Sequence, residues 1–404
     1  MSVYLDCAAT TPIDPRVSDR VVYFMREEFG NAGSRTHDFG VRARRAVEQA
    51  REQVARVVEA TRGEVVFTSG ATESNNLAIL GLAEHGIASG KRHVVSTRIE
   101  HHAVLGPLEV LASRGFEVTL VPPTAGGWVE PRAVRDAARD DTLLVSVMHV
   151  NNETGVIQPV EEVARAMEGH PAFLHVDAAQ SFGRVLEPLR NTRIDLISIS
   201  GHKVHAPKGV GALVARKRNG QRPPLAPLMH GGGQELGLRP GTLPVHLIAG
   251  LGLAAELAAA EGGKRAEANL RFRRKVLDGL APLRPVLHGD QERVVPHILN
   301  LAFPGIDAED AIEVLDGVIA VSTGAACTTT ARTCSHVLEA MGMHADHLGG
   351  VLRLSWCHLT EDVDWARVVN LLRSVSELSG RGAENLPKTE PGRVAPGGPK
   401  VRSS

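Results

Sequence analysis

An α/β fold with a mostly parallel sheet is what this 404-residue sequence predicts, and three observations predict it. Short apolar runs rich in β-branched residues recur through the first half, with helical segments between most of them. The runs end in small or polar residues, as expected where the carboxyl ends of parallel strands open onto a ligand. The composition is 43 % hydrophobic but only 3 % aromatic, so strands and helices must pack through aliphatic side chains.

In chain order, Asp14-Pro15 predicts a helix to about Glu28, ended by Gly30-Asn31-Ala32-Gly33. Ala43, Ala46, Val47, Ala50, Val54, Val57 and Val58 then follow helical spacing. Arg42, Arg44, Arg45, Arg51 and Arg56 fall mostly off that stripe and read as a solvated face. Strands are expected at Glu64–Phe67, His93–Ser96, Glu117–Val121, Leu143–His149, Phe173–Val176, Asp195–Ser200 and Val210–Val214. Pro244 to about Ala260 reads as a long Leu/Ala-rich helix, and Gly262-Gly263 as the point where the texture changes to shorter pieces. Further strands are expected near Ile298–Ala302, Ile319–Val321 and Val351–Leu354. A last amphipathic helix carries Trp365, Val368, Val369, Leu372 and Val375, with Thr360-Glu361-Asp362 at its start. The division expected is a large domain over 13–260 and a smaller α+β domain from 1–12 and 261–379. A polar, Pro/Gly-rich tail over 380–404 is expected to be disordered.

Lysine plus arginine number 45 against 46 acidic residues, so no global field steers the chain to nucleic acid or a membrane. No apolar run reads as long enough to span a bilayer, and the first residues lack a secretory signal pattern. Four cysteines (Cys7, Cys327, Cys334, Cys357) give neither a disulfide framework nor zinc-finger spacing, so a reduced, cytoplasmic chain is expected. The pairs His202/His205 and His344/His347 show no matching third ligand, and His101/His102 are adjacent on what reads as a helix. No metal is expected.

Chemistry concentrates at the strand ends. Phe67-Thr68-Ser69-Gly70-Ala71-Thr72-Glu73 puts small, hydroxylated residues at a strand-to-helix turn, where unpaired N–H groups and the helix dipole favour an anion. Glu100-His101 and Met148-His149-Val150-Asn151-Asn152 follow two further strands. Asp177 closes another, with Gln180 three residues on; a carboxylate buried there needs a positive partner, such as a protonated pyridine nitrogen. Ser200-Gly201-His202-Lys203 ends the last of these strands, so desolvation would favour a neutral lysine amine able to condense with an aldehyde. That is the chemistry by which enzymes hold pyridoxal phosphate.

These motifs, with Leu5-Asp6…Ala9-Thr10-Thr11-Pro12, His230-Gly231-Gly232-Gly233-Gln234-Glu235, Arg239-Pro240-Gly241-Thr242 and Ser322-Thr323-Gly324-Ala325-Ala326-Cys327, resemble a cysteine desulfurase of the NifS/IscS type over about 4–378. The resemblance implies a homodimeric fold-type I pyridoxal 5'-phosphate enzyme with a seven-stranded sheet, converting L-cysteine to L-alanine. It implies that Lys203 holds the cofactor covalently, His101 covers the ring and acts as acid/base, Asp177 binds the ring nitrogen and Gln180 the ring hydroxyl. Thr72, Ser200 and His202 would bind the phosphate, joined by Thr242 from across the dimer, with Ala71 and Asn152 also contacting the cofactor. Asn152 and Arg353 would hold the substrate carboxylate, and Cys327 would carry the persulfide to a sulfur-acceptor protein. The acceptors implied are an iron–sulfur scaffold, tRNA thiolation or DNA phosphorothioation, with no direct nucleic-acid binding.

The chain departs from that pattern in places. Ser355-Trp356-Cys357-His358 stands where Ser-Leu-Gly-Arg is usual, Pro240 where serine or glycine is common, and Ala325 where a serine precedes the persulfide cysteine. The tail has no counterpart of a scaffold-docking segment. The alternatives are a selenocysteine lyase or other class V pyridoxal-phosphate enzyme, and a non-catalytic sulfur-relay protein.

Overall fold

A computed structural model describes residues 2–323, 335–343 and 350–384, with side chains described to 375. In chain order the first elements are β1 (Val3–Tyr4), α1 (Pro15–Arg26), α2 (Asp38–Val57), β2 (Val65–Thr68), α3 (Ala71–Leu80), α4 (Ala83–Ser89) and β3 (His93–Thr97). There follow α5 (His102–Ser113), β4 (Glu117–Val121), α6 (Pro131–Ala137), β5 (Thr142–Met148), α7 (Val160–Ala166), β6 (Phe173–Asp177), β7 (Leu196–Ser200) and β8 (Gly211–Ala215). The rest comprises α8 (Val245–Leu280), β9 (Val286–Leu287), β10 (Ile298–Ala302), α9 (Ala308–Leu315), β11 (Ile319–Ala320), β12 (Ser322–Thr323), α10 (His336–Ala340), β13 (Val351–Ser355) and α11 (Trp365–Glu384).

Seven strands form the main sheet in the order β2-β8-β7-β6-β5-β3-β4. Pairing is parallel from β4 through β7, and β8 runs antiparallel to both β7 and β2. Strands β2, β3, β5, β6 and β7 therefore end on one edge, which is where ligands bind in open α/β sheets. Each of these strands is buried along its length, apart from half-buried Phe173, which explains their continuous Val/Ile/Leu runs.

A second sheet, β12-β13-β10-β9, packs with Leu5, Phe272, Trp356, Val368 and Leu372 in a separate apolar core. Trp356, one of the departures noted above, is fully buried there, and its indole N–H donates to the carbonyl of Asn269 at 3.1 Å. The expected pieces beyond Gly262-Gly263 are corrected by α8, which runs unbroken through that pair. A Cβ at either glycine would meet nothing within 4 Å, and the flanking Ala, Glu, Leu, Lys and Arg carry the cost of about 1 kcal/mol per glycine. The expected boundary at 260/261 thus falls inside one helix. This helix is also long and apolar enough to cross a membrane by length and composition, but half of its most apolar window is buried and it packs on α1 and α2.

Three smaller expectations are corrected. The final helix begins at Trp365, where Asp364 rather than Thr360 accepts from a first-turn N–H (Arg367, 3.1 Å). It continues to Glu384, past the expected start of the tail at 380; residues 385–404 lie outside the described residues. Arg51 is not solvated: its guanidinium bonds both carboxylate oxygens of Glu235, at 2.8 and 2.6 Å, beneath the loop leading to Thr242.

Candidate active site

The turn from β2 into α3 builds an anion cradle. Gly70 is the N-cap, and no described side chain caps the helix, leaving first-turn N–H groups for a ligand. Thr68 and Ser74 hydroxyls, 2.8 Å apart, tie strand to helix. Gly211 of β8 admits this turn: a Cβ there would stand 2.4 Å from the carbonyl oxygen of Ile199 and 2.6 Å from Gly70 Cα.

At the end of β6, Asp177 is 5 % exposed, and each of its carboxylate oxygens has a donor. Asn75 Nδ2 donates to Oδ2 at 2.7 Å and the Ala179 backbone N–H to Oδ1 at 2.9 Å. After β7 a single helical turn presents Lys203, whose Nζ donates to the carbonyl oxygen of Ala8. Gln180 Nε2 donates to the same oxygen at 2.8 Å. His202 Nδ1 lies 3.1 Å from the Thr10 hydroxyl, and burial, with the charges of Lys203 and Lys208, pulls its imidazole down to about 4.

His101 caps α5: its Nδ1 accepts the Ala103 backbone N–H at 3.0 Å, so the neutral ring carries its proton on Nε2. Burial lowers its pKa, partly opposed by Asp177. Beside it, Glu100 is wholly buried and its carboxyl is pushed up to about 8 by desolvation; Oε1 accepts from the Met148 N–H and the Thr97 hydroxyl.

The cradle at Gly70, Asn75, Asp177, Gln180, His101, His202 and Lys203 meet in one cavity of about 710 Å³. Of the residues expected from the sequence, Ala71, Thr72, His101, Asn152, Asp177, Gln180, Ser200, His202, Lys203 and Arg353 all line it. One is not brought there. Thr242 lines a different cleft with Asn31, Arg51 and Gln234. Cys327 lies outside the described residues. Arg353 is only 2 % exposed and already engaged: it donates to Asp6 Oδ1 at 2.7 Å and to the Asn152 carbonyl at 3.0 Å.

The residues fit pyridoxal phosphate. Asn75 Oδ1, Gln180 Oε1 and Arg353 Nε are buried on this cavity without a hydrogen-bond partner among the described residues, as expected of a wall built for a polar ligand. The uncapped α3 start with Thr72, Ser200 and His202 suits its phosphate, the Asp177 carboxylate its ring nitrogen, and Lys203 its aldehyde. Residues 3–366 match the sequence pattern of the family described as aminotransferase class-V. A cysteine desulfurase IscS of Vibrio vulnificus is 42 % identical over 388 residues, covering 94 % of this chain and 95 % of its own. The chain belongs to the cysteine desulfurases of the class V aminotransferase family.

Solved structures agree with this desulfurase fold. DndA from Streptomyces lividans is 52 % identical with a TM-score of 0.76, over 88 % of this chain and 99 % of that one. SspA, solved in complex with cysteine, is 35 % identical with a TM-score of 0.79, over 89 % and 100 %. The desulfurase is pyridoxal-phosphate dependent, as its family is. Sequence reasoning missed Asn75 as the donor that orients Asp177, and the Ala8 carbonyl that receives Lys203. A polar residue on the buried side of α3 was the signal for the first; a backbone carbonyl leaves none for the second.

Proposed function

We propose that this desulfurase takes sulfur from L-cysteine, releases L-alanine, and passes the sulfur as a persulfide on Cys327 to an acceptor protein. The observation that carries the reading is the meeting of Lys203, Asp177 and the uncapped α3 start in one cavity with His101 and Arg353. Bound in that cavity, pyridoxal phosphate supplies an electron sink that makes the substrate Cα–H acidic.

The chain's own groups do the rest. Asp177, held by Asn75 and Ala179, fixes a positive ring nitrogen. Lys203 Nζ takes the Cα proton and returns it at Cβ, with His101 Nε2 as the second proton carrier. Arg353, its guanidinium set by Asp6 and Asn152, orients the substrate carboxylate. The Cys327 thiolate attacks the substrate sulfur: an S–S bond forms and the Cβ–S bond breaks with its electron pair left on carbon. The proton that leaves the substrate thiol goes by way of His101 to Cα, and with the proton that Lys203 returns at Cβ it completes alanine. In the sequence Cys327 follows β12, whose Ser322 pairs with Arg353 across the sheet.

The enzyme works as a homodimer in the cytoplasm, with Thr242 completing the phosphate site of the partner subunit. The test is direct: borohydride should fix a yellow cofactor to Lys203. Recovery of the adduct on Lys208 overturns the assignment.

A further inference from the structure

Two residues beyond Lys203, the chain turns left-handed at His205 (φ 67°) and buries its ring. Nδ1 of that ring lies 3.0 Å from the carbonyl oxygen of Pro12. A carbonyl only accepts, so Nδ1 carries the proton and Nε2 presents its lone pair. A ring N–H held by a backbone carbonyl is the arrangement that orients imidazoles as metal ligands.

What faces this ring comes from the other end of the chain. One ligand atom each from His205, Cys357 and His358 lie within 4.8 Å of one another, and the two rings meet edge-on with centroids 4.8 Å apart. Cys7, buried and free like Cys357 and interacting with its thiol, stands outside that 4.8 Å grouping but beside it, and is the candidate fourth donor. His205, Cys357 and His358 line a cavity of about 50 Å³. On its wall Arg184 Nη2 and His297 Nε2 are buried and have no hydrogen-bond partner among the described residues. The sequence expectation of no metal rested on the missing third ligand for His205, which the fold supplies.

We propose that Cys7, His205, Cys357 and His358 form a structural site for one zinc ion. Two sulfurs and two imidazole nitrogens match the tetrahedral preference of a borderline-soft d¹⁰ cation. Zinc bonds of about 2.0–2.3 Å put neighbouring ligands about 3.3–3.8 Å apart, so binding draws His205, Cys357 and His358 together by about an ångström and brings Cys7 in to join them. As the two Zn–S bonds form, the two thiol protons leave to solvent, and the imidazoles donate lone pairs without losing protons. Two thiolates neutralise the divalent charge, so the buried Arg184, which interacts electrostatically with both cysteines, faces a neutral site instead of a bare cation. With four protein ligands no position stays open, which makes the site structural. It joins the segment bearing Ala8, the turn bearing Lys203 and the end of β13, three stretches that shape the active-site floor.

The test uses the full-length, cofactor-loaded Cys327→Ser/Cys334→Ser protein, in which Cys7 and Cys357 are the remaining thiols. After chelator treatment it is titrated with cobalt(II), then zinc. The proposal predicts one cobalt per chain, with thiolate charge-transfer and tetrahedral d–d bands that zinc displaces. Adding Cys357→Ser abolishes those bands, and His358→Asn weakens binding at least tenfold, while the yellow cofactor band reports folding. Zinc also raises the Tm of the stripped parent. No band in the parent, weak octahedral spectra, bands that survive Cys357→Ser, or an unmoved Tm overturns it. None of these readouts uses sulfur transfer, so this site and the proposed activity stand or fall separately.

Discussion

Lys203 and Gln180 both spend a donor on the carbonyl oxygen of Ala8, so the N-terminal segment holds the reactive amine in place. Replacing Lys203 by alanine removes the group that moves the Cα proton. Alanine formation should fall by about 10²–10⁴-fold while the phosphate cradle stays intact, checked by turnover assay and phosphate-analogue binding. Asn75→Ala should act differently. It strips one donor from Asp177 Oδ2, and losing a hydrogen bond to a charged group costs about 1.5–3 kcal/mol. Cofactor affinity should drop at least tenfold by equilibrium dialysis, with stability less affected. Lys203 and Asp177 were legible in the sequence because each closes an apolar run with a group that needs a partner. Cys7, His205 and Cys357 were not, because their neighbourhood is made across some 150–350 residues of chain, and local spacing carries no trace of it.

Among the elements, α2 is more than a packed helix. Its Arg51 passes under Glu235, bonds the Val65 carbonyl at 2.7 Å, and shares Glu235 with the Phe67 N–H at 2.7 Å. One ion pair thus fixes β2 and the strained turn at Glu235–Leu236, with φ of 49° and 63°. Glu235→Ala removes the bidentate partner of a buried guanidinium and leaves it only Glu48, at 3.3 Å, as an ion-pair partner; breaking a buried pair costs about 3–5 kcal/mol, and the remaining contact should hold the loss to the lower end. Urea unfolding should show that loss, and the loop to Thr242 should become protease-sensitive. The sheet strands were legible to within a residue or two, since burial writes itself as unbroken Val/Ile/Leu runs. The course of α8 was not, because a glycine pair breaks a helix only where nothing else holds it, and here α1 and α2 pack along it.

For the whole molecule, stability should carry the mark of Glu100. Burial raises its carboxyl from 4.5 to about 8, so the folded chain keeps a proton that the unfolded chain releases. Its contribution is full below about 4.5 and is lost as pH rises through 8. Glu100→Gln mimics the protonated form, so relative to the parent it should gain stability between pH 5 and pH 8, read from urea midpoints. No change in that difference would contradict the buried, protonated carboxyl. Sulfur leaves cysteine in the Lys203 cavity and arrives on one thiol. Mass spectrometry of the holoenzyme after a single turnover with L-cysteine measures this directly. The prediction is one added sulfur atom, mapped to Cys327, together with one alanine per site, and neither in Cys327→Ser. Sulfur mapped to Cys334 or Cys357 instead, with normal turnover by Cys327→Ser, would contradict it.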